Sequence, residues 1–384
     1  MLKKIFVILL TLLFALSCSS DKKSEYDPSA DTLRFPGETH LRNIKQLTFG
    51  GNNAEAYWSF DNKQLVFQSD WDEINKQGCD QIFVMNADGS KLETGKQYQL
   101  VSTGLGRTTC SYFLTDGRII YSSTHAADEA CPEAPMFMGG RYVWAIYNTY
   151  DIYVTDKNYQ NSHLLIGGEG YDAEPTVSPD GKYIIFTSTR SGDLELWRYE
   201  IATKELLQLT SELGYDGGAF FSHDSKKIVW RASRPTGEKA DIYKELLKDG
   251  FVEPKALNIY SADIDGKNVI QVTDLPGANW APFFHPTDQK IVFASNHHSM
   301  NMGGRIFDIF LINIDGTGLE QITHSGTFDA FPMFSPDGEK IVFASNRRTD
   351  GVESRETNIF IAEWVEHPSF VDSSFQTPKL IANR

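Results

Sequence analysis

The sequence predicts an all-β fold, a six-bladed β-propeller, from three observations. One pattern of two strands joined by a tight turn recurs six times along the 384 residues. Each copy contains enough β-branched and aromatic residues for four short strands. Successive copies begin 44 to 64 residues apart, which matches the length of a four-stranded propeller blade. Six copies therefore predict six blades arranged in a ring.

The last copy shows the pattern most clearly. Residues 326–348 read G-T-F-D-A-F-P-M-F-S-P-D-G-E-K-I-V-F-A-S-N-R-R. We expect a tight turn at residues 335–338, because Pro336 fixes φ and Gly338 supplies a positive φ. The apolar residues 341–343 that follow are typical of a buried strand.

The six copies align on a polar residue that begins the first strand of each blade. These residues are Asn53, Thr108, Asp172, Asp216, Asn279 and Asp329. The turns after the first strands read S-F-D-N, L-T-D-G, S-P-D-G, S-H-D-S, H-P-T-D and S-P-D-G. The second strands contain residues 65–67, 119–121, 184–186, 228–230, 291–293 and 341–343. The third strands contain residues 81–84, 151–154, 195–197, 258–260, 308–311 and 358–361.

A seventh match to the fourth strands precedes the first blade. Residues 44–48, I-K-Q-L-T, resemble the fourth strands at 206–210, 269–273 and 319–323. Because a linear array would leave exposed strand edges, we expect residues 44–48 to complete the sixth blade and close the ring. The predicted propeller covers residues 44–368, and residues 369–384 form a C-terminal tail.

The repeats resemble the propeller of TolB-type periplasmic proteins, a WD-repeat-like family, over roughly residues 44–364. The pattern is specific for the fold and only weakly informative about a ligand. TolB carries a separate α/β domain ahead of its propeller, and the short segment before residue 44 has no room for it. We therefore expect a free-standing TolB-like propeller, and the Tol–Pal partnership is not carried over to it.

Composition excludes some partner classes. The chain has 41% hydrophobic and 23% charged residues and a net charge of −15. This composition is typical of a soluble globular protein. The negative charge argues against nucleic acid and anionic membrane surfaces as partners. We expect a monomer that binds no nucleic acid.

The N-terminus predicts a lipoprotein signal peptide over residues 1–17. Lys3 and Lys4 precede the apolar run 5–16, which is too short to span a membrane. The following A-L-S-C resembles a bacterial lipoprotein box, although Ala15 stands where Leu is usual. We expect lipidation at Cys18, a flexible tether over residues 18–43, and anchoring in the cell envelope, periplasmic or outer-membrane. The alternative is an ordinary signal peptide followed by a chance Cys.

The long connections between strands lie on one face of the predicted ring. The turns after the first strands are short, whereas five connections between second and third strands are long: 69–80, 122–150, 232–257, 295–307 and 345–357. All of these emerge around one mouth of the central channel. Loops on a rigid scaffold commonly bind ligands, so we expect the working surface there. Neutral insertions at tolerant turns are the alternative.

Each blade has one residue at an equivalent position just past its second strand, and we call these six residues a column. The identity of the column residue separates structural from candidate functional positions. Arg190, Arg234 and Arg347 occur in the blades whose first strand begins with Asp172, Asp216 and Asp329. This co-occurrence predicts ion pairs that hold the start of the strand. Blades 1, 2 and 5 lack the pair and carry the candidate ligand-binding residues Trp71, His125, Asn279, Trp280, His297 and His298. Aromatic faces beside amide groups suit a peptide or glycan; loop packing is the alternative.

Arg231 is a further binding candidate. It interrupts a column of small residues that includes Ser122, Thr187, Ala294 and Ala344.

The histidines leave a metal-dependent enzyme open. His125, His297 and His298, with Asp128, Glu129, Glu353 and Glu356, carry donor atoms suited to a divalent metal. Uronide lyases with a propeller fold hold a metal through several histidines, so a resemblance to them implies a metal-assisted glycan lyase or hydrolase. However, blades 2 and 5 lie opposite each other in a ring of six. No catalytic residue or resident cofactor is predicted, and the motifs G-x-S-x-G, H-E-x-x-H and the P-loop do not occur.

Three cysteines remain after Cys18. We expect a disulfide between Cys110 and Cys131, which would fix the long loop 122–150, and a buried free thiol at Cys79. The function that these observations favour is a binding or scaffolding module for an envelope protein, peptide or glycan, with the metal-assisted enzyme as the alternative.

Overall fold

The computed structural model describes residues 30–348 and 355–366. Six four-stranded antiparallel sheets surround a central channel, which confirms the predicted all-β, six-bladed propeller. The predicted signal peptide (1–17), the lipidation site Cys18 and the tail 369–384 lie outside the described residues. None of the helices in the described ranges has the length and apolarity needed to cross a membrane.

Each blade contributes one first strand to the wall of the channel, and these strands contact one another around the ring. The first strands are Asn53–Trp58, Thr108–Phe113, Asp172–Val177, Asp216–Phe221, Asn279–Phe284 and Asp329–Phe334. The second strands are Gln64–Ser69, Ile119–Ser123, Tyr183–Ser188, Lys227–Ala232, Lys290–Ser295 and Lys340–Ser345. The third strands are Gln81–Asn86, Asp151–Thr155, Glu195–Glu200, Asn258–Asp263, Asp308–Asn313 and Asn358–Trp364.

The fourth strands are the shortest and lie at the outer edge. In blades 1 to 5 they are Gln99–Leu100, Ser162–Ile166, Leu206–Gln208, Ile270–Gln271 and Glu320–Gln321. In blade 6 the outer position is held by Leu41–Gln46, which pairs antiparallel with Asn358–Trp364. Leu41 lies opposite Trp364, and the strand begins three residues before the predicted start at Ile44.

Every first strand carries a bulge at its third residue, where the register to the second strand shifts. This residue has a positive φ in all six blades: Glu55, Cys110, Glu174, Gly218, Ala281 and Phe331. A bulge leaves a ladder position unpaired. It therefore tolerates the prolines that follow in three blades, Pro175, Pro282 and Pro332.

The core lies between the blades. A large aromatic residue occupies the middle of each second strand and is at most 1% exposed: Phe67, Tyr121, Phe186, Trp230, Phe293 and Phe343. Burial of a side chain of this size stabilises the fold by about 1.5–3 kcal/mol. The β-branched and aromatic runs seen in the sequence therefore serve to pack one blade on the next.

The long connections fold over one end of the channel, the mouth, where the first strands begin. In blade 2, Phe137–Met138 pairs with Arg141–Tyr142 as a small hairpin, and Trp144–Ala145 pairs with Phe251–Val252 from blade 4. Blade 4 also holds the helix Glu238–Lys248 and blade 5 the 3₁₀ helix His297–Met302. The buried residues of the helix in the blade 4 insertion are Ala240 and Tyr243.

Candidate functional site

An aromatic floor closes the channel at the fifth residue of the first strands. The ring of Tyr57 in blade 1 lies 5.3 Å from that of Phe220 in blade 4, on the opposite side of the ring of blades. Tyr112 and Phe283 also contact Phe220, at 6.1 Å and 5.3 Å between ring centroids. All four rings are buried. We call these four residues the floor.

A tryptophan from the blade 2 insertion covers the channel on the mouth side. The Trp144 ring lies 6.0 Å from Trp280 and 6.4 Å from Tyr215, which belong to blades 5 and 4. Trp280 in turn packs edge-on against Phe331 of blade 6, at 4.8 Å. We call Trp144, Trp280 and Phe331 the roof. The insertion of blade 2 thus reaches across the mouth and encloses the space above the floor.

The space between floor and roof is a chamber bounded by the bulged first strands. Five residues that border it keep partial surface exposure although they lie on the innermost strands: Glu55, Thr109, Cys110, Gly218 and Phe331. Gln68, on the second strand of blade 1, is also partly exposed. Exposure at the centre of the molecule means that the chamber is not filled by side chains. Its walls differ in polarity around the ring. Among the described residues, blades 5 and 6 supply apolar side chains, namely Trp280, Ala281, Ala294, Ala330, Phe331 and Ala344.

The polar wall contains a buried ion pair. The guanidinium of Arg231 donates through Nη2 to Glu174 Oε1 and to the Tyr215 hydroxyl. Glu174 also accepts from Tyr215 at 2.8 Å and from Thr187 at 2.6 Å. Although burial favours the neutral acid, Arg231 and these hydrogen bonds lower the pKa of Glu174.

Two consecutive glycines make room for this pair. A Cβ on Gly218 would lie 1.8 Å from Arg231 Nη1, and a Cβ on Gly217 would lie 2.4 Å from Glu174 Oε2. Neither contact is possible for a larger residue without displacing the pair. The large side chain of Arg231 is thus matched by the smallest possible neighbours.

Glu55 is the second acid of the chamber, and in the part of the chain that the structure describes it forms no ion pair of its own. Its Oε2 atom is enclosed and forms no hydrogen bond. Burial raises the pKa of Glu55 to about 7; a hydrogen bond from the Cys110 thiol and the charge of Arg231 act in the opposite direction, and Glu174 raises it further. Burial also raises the pKa of Cys110, so its thiol stays protonated and can donate to the carboxylate.

The structure brings two of the predicted binding residues into this site and leaves five outside it. Arg231 and Trp280 border the chamber, as described. Asn279 is fully buried: its Nδ2 donates to Leu257 O of blade 4, and its Oδ1 accepts from Ser295 Oγ of its own blade. His298 lies 2.9 Å from Asp308. Their predicted role in ligand binding stays untested, but they do not converge on the chamber.

Trp71, His125 and His297 occupy the position that arginine fills in the other blades. Each packs its ring on an aromatic residue of its own blade: Trp71 on Tyr98 at 5.8 Å, His125 on Tyr153 at 4.3 Å and His297 on Phe310 at 4.5 Å. The arginines of this column lie over aromatic rings of their own blades in the same way. The column therefore packs between second and third strands instead of lining the channel.

The predicted ion pairs of this column are confirmed. Arg190 lies 2.7 Å from Asp172, Arg234 lies 2.8 Å from Asp216, and Arg347 lies 3.2 Å from Asp329.

The predicted disulfide is wrong. Cys79 and Cys131 form the bond, and Cys110 is the free thiol. Cys110 sits at the bulge of its strand with φ 43° and faces the chamber, so it cannot reach the blade 2 loop. That loop instead packs on blade 1, where Gln77 Nε2 donates to Glu129 O at 2.8 Å.

The described residues contain no arrangement of side chains that supports the metal hypothesis. Within residues 30–348 and 355–366, no three His, Cys, Asp or Glu side chains come together as a metal-binding group. Glu353 lies outside these residues. The metal-assisted lyase or hydrolase stays an untested prediction.

Sequence reasoning missed Glu55, Glu174, Cys110 and Trp144. Two signals were present. The first signal is a glutamate in the middle of two otherwise buried first strands, N-A-E-A-Y-W and D-A-E-P-T-V. The second is the pair of glycines in the first strand D-G-G-A-F-F of the blade that carries Arg231. Trp144 lies in a loop, and nothing in the sequence shows that this loop crosses the mouth.

Comparisons with known proteins place the fold among TolB-like propellers. A family model described as the TolB beta propeller domain, PD40, matches residues 251–352. An uncharacterized protein of Agrobacterium fabrum is 31% identical over 142 residues, covering 35% of this chain and 44% of that protein. The Tol-Pal system protein TolB of Francisella tularensis subsp. mediasiatica is 27% identical over 188 residues, covering 41% of this chain and 43% of that protein. The chain thus spans less than half the length of these curated relatives.

Solved structures agree on the fold. The crystal structure of TolB from Acinetobacter baumannii matches with a TM-score of 0.52 at 20% identity, covering 77% of this chain and 63% of that one. A structure from Agrobacterium tumefaciens assigned to TolB matches with a TM-score of 0.52 at 17% identity, covering 84% of this chain and 97% of that one. At this identity the likeness establishes the architecture alone.

Proposed function

We propose that this chain, a TolB-like β-propeller protein, is a binding or scaffolding module of the cell envelope that recognises a protein or peptide at its mouth. Relatives named as Tol-Pal system proteins support an envelope partner. The sequence around Cys18 supports attachment through a lipid anchor.

The observation that carries this proposal is the apolar hairpin at the mouth. Met136 and Phe137 are each 61% exposed, and Tyr142 is 39% exposed. Met302, on the 3₁₀ helix of the same face, is 63% exposed. Exposed apolar side chains that are grouped on one face mark interaction surfaces, and methionine adapts its shape to a partner.

The same hairpin favours a protein or peptide over a glycan. Methionine thioethers are weak hydrogen-bond acceptors and cannot donate to sugar hydroxyls. The hairpin is also held in place, because Arg141 pairs with Glu253 at 3.2 Å and the disulfide fixes the start of the insertion. A fixed apolar surface loses little conformational entropy when it binds.

Site-specific photo-crosslinking in intact cells tests the proposal. A benzophenone amino acid replaces Phe137 in one variant and Asp116 in the control, where Asp116 is an exposed residue in the turn on the opposite face. We expect a discrete envelope-protein adduct at position 137 and none at 116. Equal adducts at both positions, or none at position 137, would contradict the proposal.

The lipid anchor is tested separately by Cys18→Ala. We expect the wild-type chain in the membrane fraction and the variant in the soluble fraction after cell breakage. A variant that still sediments with membranes would overturn the anchor and leave the binding role of the mouth unaffected.

A further inference from the structure

We propose that the chamber binds a small organic cation, a primary amine or quaternary ammonium compound, with Glu55 as its anionic contact and the aromatic roof and floor as its apolar walls. The chamber lies beneath the roof, whereas the hairpin projects from the insertion above it. The inference therefore does not depend on the partner proposed for the mouth.

Among residues 30–348 and 355–366, Glu55 has no counter-ion of its own. The charged and titratable groups around it are Cys110, Glu174, Arg231, Asp80 and Tyr57. Arg231 is engaged by Glu174, and Asp80 is paired with Arg107 at 3.0 Å. The enclosed oxygen of Glu55 also has no donor. A buried acidic group that is left unsatisfied is costly, and an ammonium group bound in the chamber would supply the compensating charge.

The bulge itself does not require an acid at this position. The equivalent residue in blade 5 is Ala281, which adopts the same positive φ, 49° against 52° for Glu55. A glutamate therefore adds a carboxylate to the chamber without any role in forming the strand.

The adjoining wall suits the apolar part of a cation. Phe331 of blade 6 neighbours Glu55 of blade 1 in the ring, and its contact with Trp280 continues to Trp144 in the roof. Ammonium groups bind the faces of aromatic rings. An anion would meet the carboxylates of Glu55 and Glu174, and the guanidinium that might attract it is already engaged. The polarity of the walls therefore selects a cation.

Binding should be linked to pH. Because burial raises the pKa of Glu55 to about 7, the free protein carries a proton there over part of the neutral range. A cation favours the ionised carboxylate and displaces this proton. Affinity should therefore increase between pH 6 and pH 8.

Isothermal titration calorimetry of the intact protein with choline, ethanolamine and benzylamine tests the proposal. We expect at least one of them to bind with a Kd below about 1 mM, several-fold tighter at pH 8 than at pH 6. Glu55→Gln should weaken binding at least about tenfold, because the amide keeps the shape and removes the charge. Glu73→Gln, at an exposed position, is the matched control and should bind as the wild type does.

An uncharged isostere of choline, with carbon in place of nitrogen, provides a test that needs no variant. We expect it to bind at least about tenfold more weakly than choline to the wild-type protein. Failure of all three cations to bind would overturn the proposal. Equal affinity for choline and its isostere, or unchanged affinity in Glu55→Gln, would also overturn it.

Discussion

At the residue scale, a buried charged cluster ties the N-terminal segment to blade 6. The side chains of Arg347, Glu38 and Asp329 are each 0% exposed. Arg347 donates to both oxygens of Glu38 at 3.1 Å and to Leu33 O at 3.2 Å. Removing one partner of a buried ion pair leaves an uncompensated charge, which is far more costly than losing an exposed pair.

Arg347→Ala should therefore lower the free energy of unfolding by about 3–5 kcal/mol. Arg190→Ala is the matched control, because Arg190 makes the equivalent pair in blade 3 but its side chain is 20% exposed. Urea unfolding should show a clearly smaller loss for this control. Equal losses in the two variants would contradict the special role of the N-terminal contact.

Several buried acids predict the pH dependence of stability. Burial raises the pKa of Glu55 and Asp308 to about 7 and that of Glu195 to about 8. Between their unfolded and folded pKa values the native state binds more protons, so stability falls as pH rises. The stabilisation that these three acids contribute is fully present below pH ~4.5 and is lost by pH ~8.

Glu55→Gln should reduce this loss, since the amide does not ionise. We expect on the order of 1–3 kcal/mol less destabilisation between pH 5 and pH 8 than in the wild type. Thermal unfolding across this range measures the effect, and Glu73→Gln should leave the slope unchanged. A slope that is the same in Glu55→Gln would show that Glu55 ionises normally.

The sequence predicted single-blade contacts better than contacts between blades. The three Arg–Asp pairs were predictable because both partners lie in one repeat at fixed positions. Glu55, Cys110 and Glu174 come from three different blades, so their proximity depends on the geometry of the whole ring. The position of the unpaired thiol also depends on this geometry, which explains why the predicted disulfide was wrong.

At the element scale, the blade 2 insertion is the feature that converts an open channel into a chamber. Its start is fixed by the Cys79–Cys131 disulfide, and its end by the pairing of Trp144–Ala145 with Phe251–Val252. Tyr243 of the helix also donates to Asp193 of blade 3. The strands were predictable from their apolar runs, but the path of the insertion was not, since it follows from contacts with blades 1, 4 and 5.

Cys131→Ser should loosen this insertion. The bond closes a segment of 52 residues, and loops of this size contribute about 2–4 kcal/mol. We expect a lower unfolding midpoint and faster proteolysis within residues 124–143 in the variant. Cys110→Ser is the control and should keep the wild-type resistance of this insertion to proteolysis, because Cys110 forms no disulfide.

Treatment with a reducing agent tests the assigned disulfide independently. It should lower the stability of the wild type to that of Cys131→Ser and leave the variant unchanged. If Cys110→Ser, and not Cys131→Ser, reproduced the reduced wild type, the assigned pairing would be incorrect.

At the scale of the whole molecule, the first and last parts of the propeller share one sheet. Leu41–Gln46 covers the outer edge of Asn358–Trp364, and an uncovered edge promotes aggregation. A truncated chain that starts at Leu47 should aggregate or melt well below a control that starts at Ala30. A soluble monomer that starts at Leu47 and melts cooperatively at the control temperature would contradict closure by this strand.

Hydrogen exchange followed by mass spectrometry tests the central claim most directly, that a ring closed by its first strand carries a roofed chamber. The account predicts slow exchange in Leu41–Gln46 and Asn358–Trp364, at the rate of the central strands, together with protection of Trp144–Ala145. Exchange in Leu41–Gln46 or Trp144–Ala145 at the rate of an unstructured peptide, while the central strands stay protected, would contradict it.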